Sequence, residues 1–389
     1  MGAQNGIIYF DNAATSFPKP NGVLIEMMKC IRQYGGNPGR GAHSLSLAAA
    51  EKIYTCREQI AEMFGSNHPE NVCFTMNTTA AINLVLKGIL REGDHVLISD
   101  MEHNAVLRPI EKLVREKGIS YDVFSTFVTD PNRSAERICT SVAHMCKSNT
   151  KMLICSHASN VCSSVLPLEQ IGAFCHRRGV FFAVDAAQSA GHIPIDLTKM
   201  HIDALCAPGH KGLWGPQGCG FVLWRDNCPA VETLIEGGSG YLSLETTMPS
   251  ELPERFEAGT LPTPAIVGLL GGITALKKIG TDYVHTHEKM LYQKLLDMLL
   301  NEKGITVYAP HHHGSVLLFN VDGVSSDLIG RELNRRGICV RCGYHCAALA
   351  HKTLGTPSGG AVRISFGYHN KASEIEKLIL SLKEIKDEI

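Results

Sequence analysis

Asp203-Ala-Leu-Cys-Ala-Pro-Gly-His-Lys-Gly-Leu-Trp-Gly-Pro216 opens as a short apolar run, breaks at Pro208-Gly209 and sets His210 and Lys211 in a turn. Gly212, Gly215 and Gly218 follow, and a second apolar run spans Gly220 to Trp224. The pattern predicts strand, tight loop, strand, with glycines that let backbone approach a ligand closely. Lys211 reads either as an exposed loop lysine or as a buried amine whose pKa falls, the state that serves Schiff-base chemistry. Upstream, Gly179-Val-Phe-Phe-Ala-Val184 is a buried-strand run that ends in Asp185-Ala-Ala-Gln188. An acid at the carboxyl end of one strand and a lysine after a later one is the pairing that pyridoxal phosphate requires, the acid on the pyridinium nitrogen and the lysine on the aldehyde carbon.

Outward from these two strands, apolar runs alternate with helix-length periodic stretches. Strands are predicted at Val72–Phe74, His95–Ser99, Ser120–Phe127 and Lys151–Cys155, with helices at Thr79–Leu90, Asn104–Glu116, Arg133–Lys147 and Leu168–Arg178. That alternation predicts an α/β fold built on a large, doubly wound, mostly parallel sheet. Ligands in such sheets lie beyond the strand carboxyl ends, and five successive ends carry polar residues: Asn77-Thr78-Thr79, Glu102-His103-Asn104, His157 to Asn160, Asp185 with Gln188, and His210-Lys211. Nearer the start, Ile7–Phe10 reads as a short strand, Pro18 and Pro20 as helix stops, and Leu47–Phe64 as a helix. A Pro-rich break at Leu261-Pro-Thr-Pro264 precedes one long helical stretch to about Asn301. The remainder reads as a smaller α+β domain: strands at Ile305–Tyr308, Ser315–Asn320, Ile338–Arg341 and Ala361–Ser365, and helices at Ser326–Arg336 and from Ser373. The expected organisation is an N-terminal segment, 1–20, packing with the small domain, a large domain over 21–262 and a small C-terminal domain over 263–389.

The 389 residues carry 37 basic and 38 acidic side chains, so no global field draws the chain to nucleic acid or an anionic membrane. The apolar runs are too short to span a membrane and the N-terminus is polar, which makes a cytoplasmic location the expectation. Fourteen scattered cysteines, several in predicted strands (Cys73, Cys155, Cys206), read as reduced core residues rather than a disulfide framework.

Individual residues narrow the chemistry. Hydroxyls in Asn77-Thr78-Thr79 at a helix N-terminus suit a phosphate, and equally serve ordinary N-capping. His103 fits a ring stack, an acid or a core histidine bonded to backbone. Asn160 and Gln188 have the functionality to bond a ring hydroxylate, or merely to satisfy loops. In Arg341-Cys-Gly-Tyr-His-Cys-Ala347 two cysteines stand four apart near His345 and His351, but no second cysteine pair accompanies them and no metal site is expected. Cys346, in a loop expected to be mobile, reads instead as a nucleophilic thiolate. Arg363, on a strand with apolar neighbours, needs an anionic partner, either a substrate carboxylate or a structural acid. His311-His312-His313 reads as a surface turn.

Tyr9-Phe-Asp-Asn-Ala-Ala-Thr15, Arg40-Gly-Ala-His43, Asn77-Thr-Thr79, Met101-Glu-His-Asn104, Ser159-Asn160-Val161, Val184-Asp-Ala-Ala-Gln188, Gly209-His-Lys211, Phe256-Glu-Ala-Gly-Thr260 and Arg341-x-Gly-x-His-Cys346 occur in order along nearly the whole chain. Together they resemble the class V aminotransferase-fold family of pyridoxal 5'-phosphate enzymes, fold type I, and within it the cysteine desulfurase and selenocysteine lyase branch. The resemblance implies that Lys211 bonds the cofactor as an imine, Asp185 pairs with its ring nitrogen, His103 stacks on the ring and Gln188 bonds its oxygen. It implies that Thr78, Thr79 and His210 hold the phosphate, while Thr260 reaches the phosphate of the other subunit of a homodimer. Asn160 and Arg363 would bind the amino-acid carboxylate, Arg40 and His43 would line the entrance, and Cys346 would accept sulfur. The short interval from Cys346 to Arg363 resembles the group II desulfurases. Pro208 stands where desulfurases commonly have a serine, which removes one phosphate hydroxyl. The implied activity is conversion of L-cysteine to L-alanine with a persulfide on Cys346, passed to an acceptor protein. The rivals are selenocysteine β-lyase acting on L-selenocysteine, cysteine sulfinate lyase, an aminotransferase, and a cofactor-free sulfur carrier.

Overall fold

A computed structural model describes residues 6–39, 41–226 and 230–388. The first third of the chain forms β1 (Ile8–Tyr9), α1 (Asn21–Gln33), α2 (Ser44–Met63), β2 (Val72–Thr75), α3 (Thr78–Ile89), β3 (His95–Ser99), α4 (Asn104–Lys117) and β4 (Ser120–Phe124). Then come α5 (Ala135–Met145), β5 (Thr150–Ser156), α6 (Leu168–Arg178), β6 (Phe181–Asp185), β7 (Ala204–Pro208) and β8 (Gly220–Trp224). The remainder is α7 (Thr263–Ile279), α8 (Thr281–Leu300), β9 (Ile305–Val307), β10 (Val316–Val321), α9 (Ser326–Arg335), β11 (Ile338–Cys339), β12 (Arg341–Gly343), α10 (Ala348–Leu354), β13 (Ala361–Ser365) and α11 (Ala372–Glu388).

Among the described residues the large sheet has seven strands in the order β2-β8-β7-β6-β5-β3-β4, and only the pairings of β8 with its two neighbours are antiparallel. Strands β5 to β8 are apolar almost throughout because both sheet faces are covered by helices. Alternate side chains enter two separate cores. Leu153, Cys155, Phe182, Val184, Leu205 and Ala207 face α2, α6 and α7, whereas Met152, Ile154, Ala183, Ala204 and Cys206 face α3 and α4. After β3 the chain steps outward to β4 and returns to β5 on the other side of β3, so the strand order reverses between β3 and β5. A crevice opens at the strand carboxyl ends there.

A four-stranded antiparallel sheet, β12-β13-β10-β9, packs with α8, α9 and α11 around a second centre. Ile8 and Phe10 enter that core, with β1 paired in parallel to β11. A smaller cluster joins the two halves beside the crevice: Met101, Val128, Val161 and Cys162 from the large sheet's side meet Leu318, Ala347, Ala350 and Leu354 from the other.

Pro18 and Pro20 keep residues 11–20 free of helix, and α1 starts just after them, with Pro20 at its N-cap, where a missing N–H costs nothing. Several other expectations need correction. The long helical stretch after Pro262 is two helices, broken at Gly280 with φ 95°. The first of them, α7, sends Ile266, Leu269, Leu270, Ile273 and Leu276 into the large sheet's core, so the division between cores falls beyond α7 and not between 262 and 263. Just after Cys346, whose loop is expected to be mobile, residues 348–354 form α10, whose Ala350 and Leu354 are buried. His311-His312-His313 is also no free surface turn, since His312 is buried and bonded through Nε2 to the Val128 carbonyl at 2.9 Å.

Candidate active site

Strand β6 delivers Asp185 to the floor of the crevice, in register with Ser156 on β5 and Cys206 on β7. The carboxyl is buried and accepts the Ala187 N–H at 2.9 Å through Oδ1. Burial raises its pKa, and the Ala187 N–H and Lys211 oppose the rise. One strand over, β7 ends at Pro208 and the next three residues bring Lys211 to the same cavity. Burial pushes the Lys211 amine down to about 8, against the pull of Asp185 and with help from Arg363 and Arg341.

The Lys211 turn is gripped from outside. The His210 carbonyl accepts Lys19 Nζ at 2.6 Å, Thr15 Oγ1 at 3.1 Å, Ser16 N at 3.2 Å and Ser16 Oγ at 3.3 Å. The Lys211 carbonyl accepts Ser16 Oγ at 3.0 Å and Trp214 N at 2.9 Å. Lys19 itself is pushed down to about 8 by burial and donates also to Ser16 Oγ at 2.8 Å. Gly212 is obligatory here because a Cβ on it would lie 2.2 Å from the Ala190 carbonyl oxygen.

The rim over this floor is the N-terminus of α3. Asn77 caps it, accepting Ala80 N at 2.9 Å, and Thr78 is buried with Oγ1 unpartnered among the described residues. Buried Nδ1 of His210 likewise has no partner among them. Two unpartnered polar atoms beside a helix N-terminus form a cradle for an anion, because the free N–H groups and the helix dipole add to them. His103 caps α4 through Nδ1, which accepts Ala105 N at 3.0 Å and leaves Nε2 available. Burial, then the cations Lys211, Arg341, Arg363 and Arg108, pushes its imidazole down to about 4, so the ring is neutral at physiological pH.

The far wall joins the two halves. Asn160 donates through Nδ2 to the His345 carbonyl at 2.8 Å, and its own carbonyl accepts Arg363 Nη1 at 3.0 Å. Arg363, 2 % exposed, also holds Asp11 Oδ1 at 2.7 Å through Nη2, while its Nε is buried without a partner among the described residues. Gln188 donates to the Ala13 carbonyl at 3.0 Å. Cys346 is exposed, and its carbonyl accepts Asn104 N at 2.7 Å, which seats the cysteine beside His103.

Of the residues singled out in the sequence, Thr78, Thr79, His103, Asn160, Asp185, Gln188, His210 and Lys211 line one cavity of about 110 Å³. Arg363 reaches it through Asn160, and Cys346 is tied by its carbonyl to Asn104, next to His103 in the lining. Two others are elsewhere in this chain. His43 is an exposed N-cap of α2, its Nδ1 accepting Ser46 N at 3.3 Å. Thr260 is exposed, bonded to Asn37 Nδ2 at 3.3 Å, and lines a separate cleft of about 300 Å³. Arg40 lies outside the described residues. Cys342 turns away from the site, its thiol against Gly330, where a Cβ would come within 2.5 Å of the sulfur, and burial pushes it up to about 12.

Two residues beside the site were given no individual role by the sequence reading. Asp11 is the acid that holds Arg363, and the only signal was its place in Tyr9-Phe-Asp-Asn-Ala-Ala-Thr15. Glu102, fully buried under His103, accepts Ser156 N at 3.0 Å, Ser156 Oγ at 2.9 Å and the Ser99 hydroxyl. Burial pushes it up to about 7, with Asp185 adding to the rise. A further buried acid, Glu257, lies away from this floor; it pairs with Arg57 at 2.6 Å and accepts Phe74 N at 2.6 Å, fastening the segment that carries Thr260 to β2.

Comparisons with known proteins agree with this architecture. The family model described as Aminotransferase class-V matches residues 8–378. A probable cysteine desulfurase of Methanothermobacter thermautotrophicus is 33% identical over 388 residues, covering 97% of this chain and 94% of that protein. The apo structure of a cysteine desulfurase from Thermococcus onnurineus superimposes with a TM-score of 0.89 at 30% identity, over 99% of this chain and 96% of that one. A cysteine desulfurase from Escherichia coli, at 23% identity, shares the fold with a TM-score of 0.87, over 100% of this chain and 96% of that one.

Proposed function

The chain belongs to the aminotransferase class-V family, and from that premise we propose that it is a pyridoxal 5'-phosphate-dependent cysteine desulfurase that moves sulfur from L-cysteine to Cys346 and releases L-alanine. The observation that carries the reading is the meeting of a desolvated amine and a buried carboxyl, Lys211 and Asp185, in one cavity, with the Cys346 backbone bonded to Asn104, next to His103 in its lining.

The residues fit the cofactor. Thr78 Oγ1 and His210 Nδ1, both buried and unpartnered among the described residues, would take its phosphate at the start of α3. Asp185 engages Ala187 through Oδ1, and Oδ2, with no hydrogen bond among the described residues, would hold the ring nitrogen. His103 and Gln188 would flank the ring, and Lys211 would bond its aldehyde carbon. When bound, the ring supplies an electron sink for bond breaking at the substrate's carbon skeleton.

This chain's own groups then do the rest. With its pKa near 8, Lys211 Nζ is neutral in an appreciable fraction at physiological pH, fit to bond carbon and, once displaced, to take the Cα proton. Asn160 and Nε of Arg363, unpartnered among the described residues, would hold the substrate carboxylate. Cys346 Sγ, as thiolate, attacks the substrate sulfur: the S–S bond forms, the Cβ–S bond breaks, and its electron pair passes to the carbon skeleton. Protons returned to carbon complete L-alanine. The carbon is reduced by the two electrons that the sulfur pair gives up, so no outside oxidant or reductant enters until the persulfide is discharged.

Finer parts of the reading have their own support. A homodimer accounts for Thr260 lying away from the cavity and for Leu24, Ile25, Met28 and Ile31 standing exposed along α1. The short, helix-filled interval from Cys346 to Arg363 fits the group II type, which hands its persulfide to an acceptor protein. Buried thiols at Cys56, Cys155, Cys175, Cys206 and Cys219 fit a reducing cytoplasm. No helix among the described residues is long and apolar enough to cross a membrane.

Product analysis on purified holoprotein tests the proposal, with L-cysteine and L-selenocysteine compared in the presence of a thiol reductant. Alanine in equal amount to sulfide, borohydride labelling of Lys211, and loss of cysteine turnover in Cys346→Ala are expected. Selenide release that survives in Cys346→Ala while wild-type protein ignores cysteine would replace this reading with a selenocysteine lyase.

A further inference from the structure

The proposed reaction leaves His345, beside the nucleophile, and His351, six residues on, without a part to play. Both are buried, at 5 % and 3 % exposure, and they touch each other: His345 Nδ1 and His351 Nε2 are 3.0 Å apart. His345 Nε2 lies 3.3 Å from the Arg341 carbonyl, and His351 Nδ1 lies 2.8 Å from Thr356 Oγ1.

A carbonyl oxygen only accepts, which fixes every proton in this chain. His345 Nε2 carries its hydrogen toward Arg341, so His345 Nδ1 is a lone pair. His351 Nε2 must then carry the hydrogen between the rings, and His351 Nδ1 accepts the Thr356 hydroxyl at 2.8 Å, the shorter of that hydroxyl's two contacts, the other being the His351 carbonyl at 3.4 Å. Burial first, then Arg363, keeps both imidazoles neutral, as this arrangement requires. All four ring nitrogens are engaged, so neither imidazole has a nitrogen left for the Cys346 thiol.

What the pair does hold is backbone. His345 and Cys346 have φ of 51° and 55°, two successive side-chain-bearing residues in the left-handed region. The strained pair is fixed from three sides: Asn160 on the His345 carbonyl, Asn104 on the Cys346 carbonyl, and the imidazole chain on the His345 ring. The Tyr344 ring meets His351 edge-on, and its hydroxyl accepts Gly359 N at 2.9 Å, closing the loop on itself. His351 sits on α10, whose Ala350 and Leu354 are embedded where the two halves of the molecule meet.

We infer that the His345–His351 pair, fed by Thr356, is a positioning device that holds the Cys346 thiol over the mouth of the site, and not an acid–base partner of that thiol. The inference rests on the reading of Cys346 as sulfur acceptor.

Holoenzyme carrying His351→Phe, His351→Gln or Thr356→Val tests it. Phenylalanine keeps the ring and removes both nitrogens, whereas glutamine keeps one donor and one acceptor. His351→Phe is expected to lower kcat for L-cysteine about tenfold, the scale of a slightly misplaced reacting group, with KM within about twofold. His351→Gln recovers about half of the wild-type kcat, and Thr356→Val falls between the two. Alkylation of Cys346 by iodoacetamide is followed alongside, by mass spectrometry across pH. Its rate rises at least about threefold in His351→Phe as the loop is released, and its pH midpoint is the same in wild type and in all three variants. A wild-type kcat in His351→Phe, a glutamine variant as impaired as the phenylalanine one, or a displaced pH midpoint each overturns the inference. If wild-type protein shows no cysteine turnover, the functional reading has failed on its own, and the alkylation rate in His351→Phe decides the inference: raised supports it, unchanged overturns it.

Discussion

The turn that carries Lys211 and the loop that carries Cys346 deliver the two groups proposed to react by opposite means. The lysine turn rises directly from a central strand, and its carbonyls are held by donors from residues 15–19 and its backbone is packed against the 190–192 segment. The cysteine loop rises from an edge strand of the small sheet, adopts left-handed conformations, and is held by side chains that reach it from α10 and from the other half of the molecule. A group that forms a covalent bond to a fixed cofactor gains from a rigid, sheet-born site. A group that must take sulfur from a substrate and then present it to a partner gains from exposure, and its loop is held in place by removable side-chain bonds.

The comparison breaks most visibly at Gly212. Its Cβ would strike the Ala190 carbonyl oxygen at 2.2 Å and the His192 ring at 2.4 Å, so the turn must move to admit it. Gly212→Ala is expected to lose cofactor absorbance near 420 nm and to lower turnover by about two orders of magnitude, because a shift on the order of 1 Å at a reacting group costs that much. Retention of both signals would show that the lysine turn is not rigid and that the contrast with the cysteine loop is false.

Lys19 sharpens the contrast. It places a half-buried amine 2.6 Å from the His210 carbonyl, with no carboxylate among the described residues paired to it. Lys19→Met removes one charge-assisted bond of about 1.5–3 kcal/mol, so cofactor affinity should fall by about ten- to a hundredfold while the Cys346 alkylation rate stays at the wild-type value. Equal damage at both places would mean that the two sites are mechanically one.

Much of this was legible beforehand. His95–Ser99, Leu168–Arg178, Gly220–Trp224 and Ala361–Ser365 form where their patterns place them, because buried β runs and an amphipathic helix announce themselves locally. Residues at strand ends were legible for the same reason, since the parallel sheet brings every such end to one crevice. What depends on distant partners was not. Nothing local marks α7 as belonging to the large core, α10 as a helix buried between two halves, or Asp11 as the partner of Arg363. His43 and Thr260 were assigned through a family likeness, and within one chain they stand outside the cavity.

The electrostatics of the lysine turn give it a pH signature of its own. Neutral amine is the form that bonds the cofactor, and Lys211 gains it as pH rises through about 8. Reconstitution of apoprotein should therefore quicken about tenfold per pH unit below that value and level off above it. Asp185 holds the midpoint up, so Asp185→Asn should move it lower. Stability follows with the same sign: between about 8 and the ordinary lysine value the unfolded chain binds the extra proton, and the folded apoprotein gains stability as pH rises through that window. A reconstitution midpoint at the ordinary lysine value would remove the premise that this turn lies in a desolvated site.

The smallest effect is expected at Cys342, where sequence spacing alone leaves a sulfur relay to Cys346 open. Its thiol is pressed on Gly330 in the small domain and partly covered by that core, and burial pushes it up to about 12, so it is neither exposed nor ionised where the relay would need it. Cys342→Ala should leave turnover within about twofold of wild type and cost on the order of 1 kcal/mol of stability from the lost sulfur contacts. A tenfold loss of sulfur transfer to an added thiol, with persulfide on Cys346 forming at the normal rate, would instead put Cys342 downstream of Cys346. The small sheet would then carry chemistry as well as hold the loop.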